Sequence, residues 1–232
     1  MIFFLRTLFE RVLRIVMHLL LDVFLIGYNR VTYHYRQRLL ENQPCIIVAN
    51  HSSHYDAGVL LSAFPYFTMH RVHPVAARDY FFSNRLQAAF FTVFMNVLPI
   101  ERSARMKDAF VETEEALSRG HSIIIFPEGT RSPSGQVEDF KVGVGYLAAR
   151  WKLPVIPAYI DGAHAAMGKG RNVPKARKIS VVFGKPLYFK GDPENKEHWA
   201  EFAGSLRGQI LNTRKAWQRA REQRNQKAAI ED

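Results

Sequence analysis

Reactive side chains gather first in the segment NHSSHYD, residues 50–56. It follows the apolar run CIIVAN and precedes a helix-prone stretch from Ala57, so it reads as a strand-to-helix turn, where functional side chains are commonly displayed. His51 and Asp56 stand five apart, which on a regular helix would leave them about 140° from one another. They meet only if the turn folds back. A carboxylate on one imidazole nitrogen fixes the tautomer and stabilises the imidazolium, leaving the other nitrogen to take a proton from a hydroxyl. The alternative use of Asp56 is to cap the helix.

Three other chemistries lack their residues. A metal hydrolase of the H-x-H-x-D-H type needs His at alternate positions, whereas His51 and His54 are three apart and Asp56 is followed directly by Ala57 rather than His. Ser52, Ser53 and Ser132 are outside any G-x-S-x-G frame, and no G-x-x-x-x-G-K-[ST] phosphate loop occurs. What remains is a His–Asp base without a protein nucleophile, which suits direct attack by a substrate hydroxyl on an activated acyl group.

A second cluster, FPEGTRSPSG at 126–135, follows the apolar run SIIIF. Glu128, Gly129, Thr130 and Arg131 are on a turn restricted by Pro127 and Pro133, and an arginine there can grip a phosphate bidentately. A loop-stabilising Glu–Arg pair is the alternative. Glu101 and Arg102 close NVLPIERS at the mouth of a helix, suited to an anion or to a surface ion pair. LPVIPAYIDG, 153–162, carries two prolines and reads as the wall of an acyl-chain site or an edge strand.

The elements that must position these residues alternate. β-rich runs at 45–49, 72–77, 97–100, 122–126, 155–160 and 179–183 are interleaved with helical stretches at 57–64, 79–94, 104–118 and 142–151. This predicts an α/β fold, a single domain with a mixed sheet flanked by helices. Gly120 is placed to end the helix before SIIIF. Upstream, residues 1–30 form an apolar helix interrupted at Arg6, Glu10, Arg14, His18 and Asp22, a polar stripe drifting about 40° per step. It has too many charges for a membrane span, and its apolar opposite face, with Phe9, Val12, Val16, Leu19 and Val23, suits an amphipathic helix at a membrane surface. The alternative is docking on the protein's own core. Residues 31–212 form the α/β domain, and 213–232 a basic, helical tail suited to anionic lipid.

The chain's 232 residues carry 32 Lys+Arg against 21 Asp+Glu, a net charge of +11, and 47% are hydrophobic, enough for a core. The single Cys45 cannot form an internal disulfide and reads as a small buried residue of a reducing compartment. Such a charge attracts polyanions. Nucleic acid fits poorly, because the aromatics lie in apolar runs and no zinc-finger, RNA-recognition or basic-zipper pattern occurs.

NHSSHYD, VLPIERS, FPEGTRSPSG with FKVGVGYLA, and LPVIPAYI, in that order, resemble the four blocks of the glycerophospholipid acyltransferase family, over residues 45–187. The resemblance implies that His51 is the general base and Asp56 its orienting partner. It further implies that Arg102, Glu128, Gly129, Thr130 and Arg131 line the acceptor site, that VIP lies near the acyl chain, and that a membrane-associated helical element precedes the sheet. The reaction so implied moves a fatty acyl group from acyl-CoA or acyl carrier protein to lysophosphatidic acid, at the cytoplasmic face of a membrane, without metal or cofactor. Another lysolipid acceptor, or a non-catalytic membrane-binding module, is the alternative. Asn96, Pro99 and Val142 depart from the family pattern, which usually has Gly, an apolar residue and Pro there.

Overall fold

The computed structural model describes residues 2–81, 92–171 and 173–231. Seven strands, β1 (Thr32–His34), β2 (Ile46–Ala49), β3 (Val72–Ala77), β4 (Leu98–Ile100), β5 (Ser122–Ile125), β6 (Val155–Asp161) and β7 (Ser180–Phe183), form one sheet in the order β1-β7-β6-β2-β5-β3-β4. Neighbours run parallel except β6 and β7. β2 is central and wholly buried, as its unbroken apolar run requires of a parallel strand covered on both faces.

Successive side chains of a strand point to opposite faces, and β2 divides the core accordingly. Ile47 and Ala49 pack on one side with Leu25, Val59, Leu60 and Ala163, from α1 (Ile2–Gly27), α3 (Asp56–Leu61) and α8 (Ala163–Met167). Ile46 and Val48 pack on the other with Leu117, Leu147, Leu206 and Ile210, from α6 (Val111–Ser118), α7 (Gly143–Trp151) and α9 (Lys196–Glu231). The short helices α2 (Gln37–Leu40), α4 (Arg78–Phe81) and α5 (Met106–Ala109) fill the connections. Gly120, at φ +74, ends α6 as expected, its N–H bonding Leu117 O while His121 N–H bonds Ala116 O.

Several expected elements differ. β1 is short and carries no periodic pattern, so the sequence reading omits it. The helix expected over 104–118 breaks at Phe110 (φ −114°, ψ 18°), which leaves the helical path and is buried in the core. The helix expected over 79–94 opens as α4, and its residues 82–91 lie outside the described residues. β6 is no edge strand, for it pairs with β2 on one side and β7 on the other. The basic segment after 213 continues α9, a single helix of 36 residues.

Packing against the domain sets which face of α1 is outward. Its polar positions turn inward: His18 is buried, Arg14 Nε donates to Val93 O at 2.8 Å, and Asp22 accepts from Tyr66 Oη. Leu20, Val23 and Ile26 instead face solvent, 59%, 71% and 59% exposed. The side chains of Arg6 and Glu10 lie outside the described residues.

α7 meets α9 where Gly145 has no side chain: a Cβ there would lie 2.1 Å from Trp199 O. Gly145→Ala is therefore expected to force the helices apart and lower stability by about 1–3 kcal/mol. Gly204→Ala on α9, with nothing within 4 Å of its Cβ position, should be neutral or slightly stabilising. Urea denaturation of the two variants checks the contrast, and equal effects would contradict this packing.

Candidate active site

β2, β3, β4 and β5 run parallel, so their C-terminal ends share one edge of the sheet, the usual position of a ligand crevice in α/β folds. His51, Asp79, Arg102 and Glu128 each follow one of these ends. The turn after β2 does fold back. His51 Nδ1 is 2.9 Å from Asp56 Oδ2, and the same oxygen accepts from Ser52 N at 2.7 Å and Ser53 N at 2.8 Å. Three donors on one buried carboxylate oxygen hold the His51 ring by its Nδ1, so that Nε2 takes no part in this set of bonds. Asp56 opens α3 but caps no helical N–H group: its side chain is spent on the turn.

The ring is also held by its face, stacked on Phe126 at 4.2 Å between centroids and 20° between planes. Its backbone N–H donates to Glu128 Oε1 at 3.1 Å, and its carbonyl accepts from Ser132 N at 2.8 Å. Turns after two adjacent strands are thereby bonded to each other. Burial pushes the Glu128 carboxyl up to about 7, the His51 N–H opposing this and Glu138 and Asp56 adding to it. Burial, then Arg131 and His51, push the His54 imidazole below its ordinary value.

A cavity of about 750 Å³ opens at this edge. Pro74, Val97, Ile100, Phe110, Ile125 and Val144 line its apolar part, while His51, His54, Arg102, Arg131, Lys141 and Lys169 supply its polar part. Gly129 and Thr130 line it as well. Glu101 adds a carboxylate to the polar part. A deep apolar space beside a few convergent polar groups is the general form of a small-molecule site. The buried Glu128 is not part of the wall but stands behind it, against His51 N–H. No residue of 153–162 lines the cavity: VIP lies inside β6, and the apolar wall comes from β3, β4, β5 and the break at Phe110 instead.

Arg102 lines the cavity with its guanidinium already engaged. Nη2 contacts both Asp79 carboxylate oxygens at 2.9 Å, and Nη1 donates to Gly129 O at 3.2 Å. It thus braces the Gly129 turn. That turn needs glycine, at φ +74 with Lys141 Nζ 2.7 Å from where a Cβ would be.

A family model described as Acyltransferase matches residues 30–161. The chain belongs to the acyltransferase family. Among relatives, the 1-acyl-sn-glycerol-3-phosphate acyltransferase of Pseudomonas aeruginosa is 31% identical over 173 residues, 68% of this chain and 61% of that one. The chloroplastic enzyme BAT2 of Brassica napus is 28% identical, over 62% of this chain and 41% of its own. The human 1-acyl-sn-glycerol-3-phosphate acyltransferase beta is 30% identical, over 52% and 42%. The matched region spans about two fifths of the plant and human relatives. The crystal structure of the 1-acyl-sn-glycerophosphate (LPA) acyltransferase PlsC from Thermotoga maritima superposes with a TM-score of 0.62 at 24% identity, covering 80% of this chain and 71% of that one. At that identity the likeness is one of fold.

Lys141 and Lys169 line the cavity without belonging to the residues that the motifs single out. Lys141 has a local signal, the FK that follows the EGTR turn, and its N–H bonds back to Pro127 O at 2.9 Å. Lys169 has none, since it arrives through α8 from beyond β6. Asn96, where the family usually has Gly, adopts φ +54, a left-handed conformation that Asn tolerates better than most residues.

Because the folded-state pKa of Glu128 is raised, its contribution to stability is present below the unfolded value and lost as pH rises through about 7. Glu128→Gln should therefore match the wild type near pH 5 and exceed it near pH 8 by about 1–3 kcal/mol. Thermal melts at the two pH values check this, and a difference independent of pH would refute it.

Proposed function

We propose that the chain is an O-acyltransferase that moves a fatty acyl group from acyl-CoA or acyl carrier protein to the free hydroxyl of lysophosphatidic acid, in phospholipid synthesis. The observation that carries this reading is His51, bound through Nδ1 to buried Asp56 and lining a cavity whose walls are apolar on one part and polar on another, with Arg102, Arg131, Lys141 and Lys169 outnumbering the one carboxylate, Glu101. The acceptor follows the printed names of the relatives, which act on 1-acyl-sn-glycerol-3-phosphate.

In the proposed step, His51 Nε2 takes the proton of the acceptor hydroxyl as its oxygen attacks the thioester carbonyl carbon. Asp56 stabilises the imidazolium so formed. The C–O bond forms, the C–S bond breaks, and the thiolate leaving group takes the proton back from His51. The balance is complete without metal, cofactor or covalent acyl-enzyme. Arg131 and Lys141 supply positive charge for the acceptor phosphate, and Arg102 positions the Gly129 turn beside them. The apolar wall around Phe110 and Val97 suits an acyl chain. Holding both substrates in one cavity converts their encounter into an effectively unimolecular reaction.

Peripheral attachment to the cytoplasmic face of an anionic membrane completes the proposal. Among the described residues no helix is long and apolar enough to cross a membrane, and the outward apolar face of α1 suits a helix lying on one.

An acyl-transfer assay with a panel of lysolipid acceptors, wild type against His51→Ala, tests the reading. The variant is expected to keep the wild-type melting temperature within a few degrees and to lose about 10²–10⁴-fold in turnover. Near-normal transfer by His51→Ala would overturn the mechanism, and stronger transfer to an acceptor without the phosphomonoester would overturn the substrate.

A further inference from the structure

We propose that the cationic segment 173–178, with Arg30 beside it, is the element that binds the phosphate groups of an anionic bilayer, and that it shares this bilayer with the outward face of α1. The inference deepens the membrane attachment proposed above. For its link to turnover it rests on the acyltransferase reading.

The inward turn of the α1 polar stripe removes Arg14 and His18 from any role at a lipid headgroup. Positive charge beside the apolar face of α1 must come from elsewhere. Lys175, Arg177 and Lys178 are exposed, no Asp or Glu occurs within 173–178, and none of the three side chains forms an ion pair among the described residues. By contrast Arg78, Arg102, Arg119, Arg150, Arg207 and Arg221 each pair with a carboxylate.

The segment is held to α1 by its backbone. Tyr28 Oη donates to Pro174 O at 3.1 Å, and the buried Asn29 donates through Nδ2 to Lys175 O at 3.1 Å and Arg177 O at 3.2 Å. The cations therefore begin where the apolar stripe of α1 ends. That stripe, Ile15, Val16, Leu19, Leu20, Val23 and Ile26, is exposed over about three turns. Val173 and Phe67 are 73% and 77% exposed, and the neighbour of Phe67, Tyr66, is bonded to Asp22 of α1. An apolar stripe ending in a cluster of unpaired cations complements an anionic bilayer, whose phosphates take the charge and whose acyl region takes the side chains. A polyphosphate such as nucleic acid could cover the cations alone.

The same segment is tied through α8 to the rim of the cavity, without lining it. Lys175 N bonds Ala166 O at 2.9 Å, Ser53 Oγ donates to Met167 O at 2.8 Å beside Asp56, and Lys169, two residues past Met167, lines the cavity. Docking through 173–178 would hold the cavity close to the surface from which a lipid acceptor arrives.

The test is sedimentation of the full chain with phosphatidylcholine vesicles and with vesicles also containing phosphatidylglycerol. Wild type, Lys175→Gln/Arg177→Gln/Lys178→Gln, and Leu19→Ser/Val23→Ser are compared, each checked for a wild-type melting profile. At about fivefold per charge, the charge variant should bind phosphatidylglycerol vesicles about a hundredfold more weakly. Its binding to pure phosphatidylcholine should be unchanged, and the α1 variant should lose both. Unchanged affinity of the charge variant, equal loss on both vesicle types, or wild-type preference for DNA over phosphatidylglycerol vesicles at equal salt would each overturn the proposal. Acyl transfer to a short-chain, water-soluble lysophosphatidate is measured in parallel and should be equal in wild type and charge variant. Its absence from the wild type would overturn the acyltransferase reading, and the sedimentation result would still decide the docking surface.

Discussion

A carboxylate withdrawn from water sets the geometry on which the site depends. Asp56 is fully buried, and its Oδ2 gathers the N–H groups of Ser52 and Ser53 as well as His51 Nδ1. A buried anion is tolerated only with such partners, because the hydrogen bonds of water must be replaced. The replacement folds the chain back between β2 and α3 and brings together two side chains that a regular helix would separate. One set of bonds thus closes the turn and aims the imidazole, so disturbing the His51–Asp56 pair also disturbs the backbone.

Parallel strands supply the rest. Each delivers its following turn to the same edge, and residues far apart in the chain become neighbours there: His51 N–H meets Glu128, and Arg102 spans Asp79 and the Gly129 carbonyl. The turns are cross-braced by backbone hydrogen bonds rather than by side-chain packing alone. Such bracing keeps a polar site rigid beside an apolar cavity. The break at Phe110 lets an aromatic ring help line that cavity, where a continuous helix would have carried it past.

α1 follows a different rule. A helix on a protein surface ordinarily buries its apolar stripe, yet here the half-polar side carries Arg14, His18 and Asp22 against the domain, where Val93 O and Tyr66 receive two of them. The outward face is left apolar. This polarity is the reverse of that of a helix meant for water, and it agrees with the exposed cations held at its C-terminal end.

Local pattern alone determined the strand-to-helix turns, the alternation of an α/β fold, the end of α6 at Gly120, and the two motifs with their residue types. These are short-range properties, set by side-chain period, turn chemistry and spacing. The pairing of His51 with Asp56 was legible as a requirement, because the chemistry demands it. Tertiary structure decided the remainder: the place of β6 inside the sheet, the engagement of Arg102 by Asp79, the arrival of Lys141 and Lys169 at the cavity, and the outward apolar face of α1. Each depends on what a residue meets across the fold. Periodicity shows that a helix has two faces, but only the packing against Val93 and Tyr66 determines which one is buried.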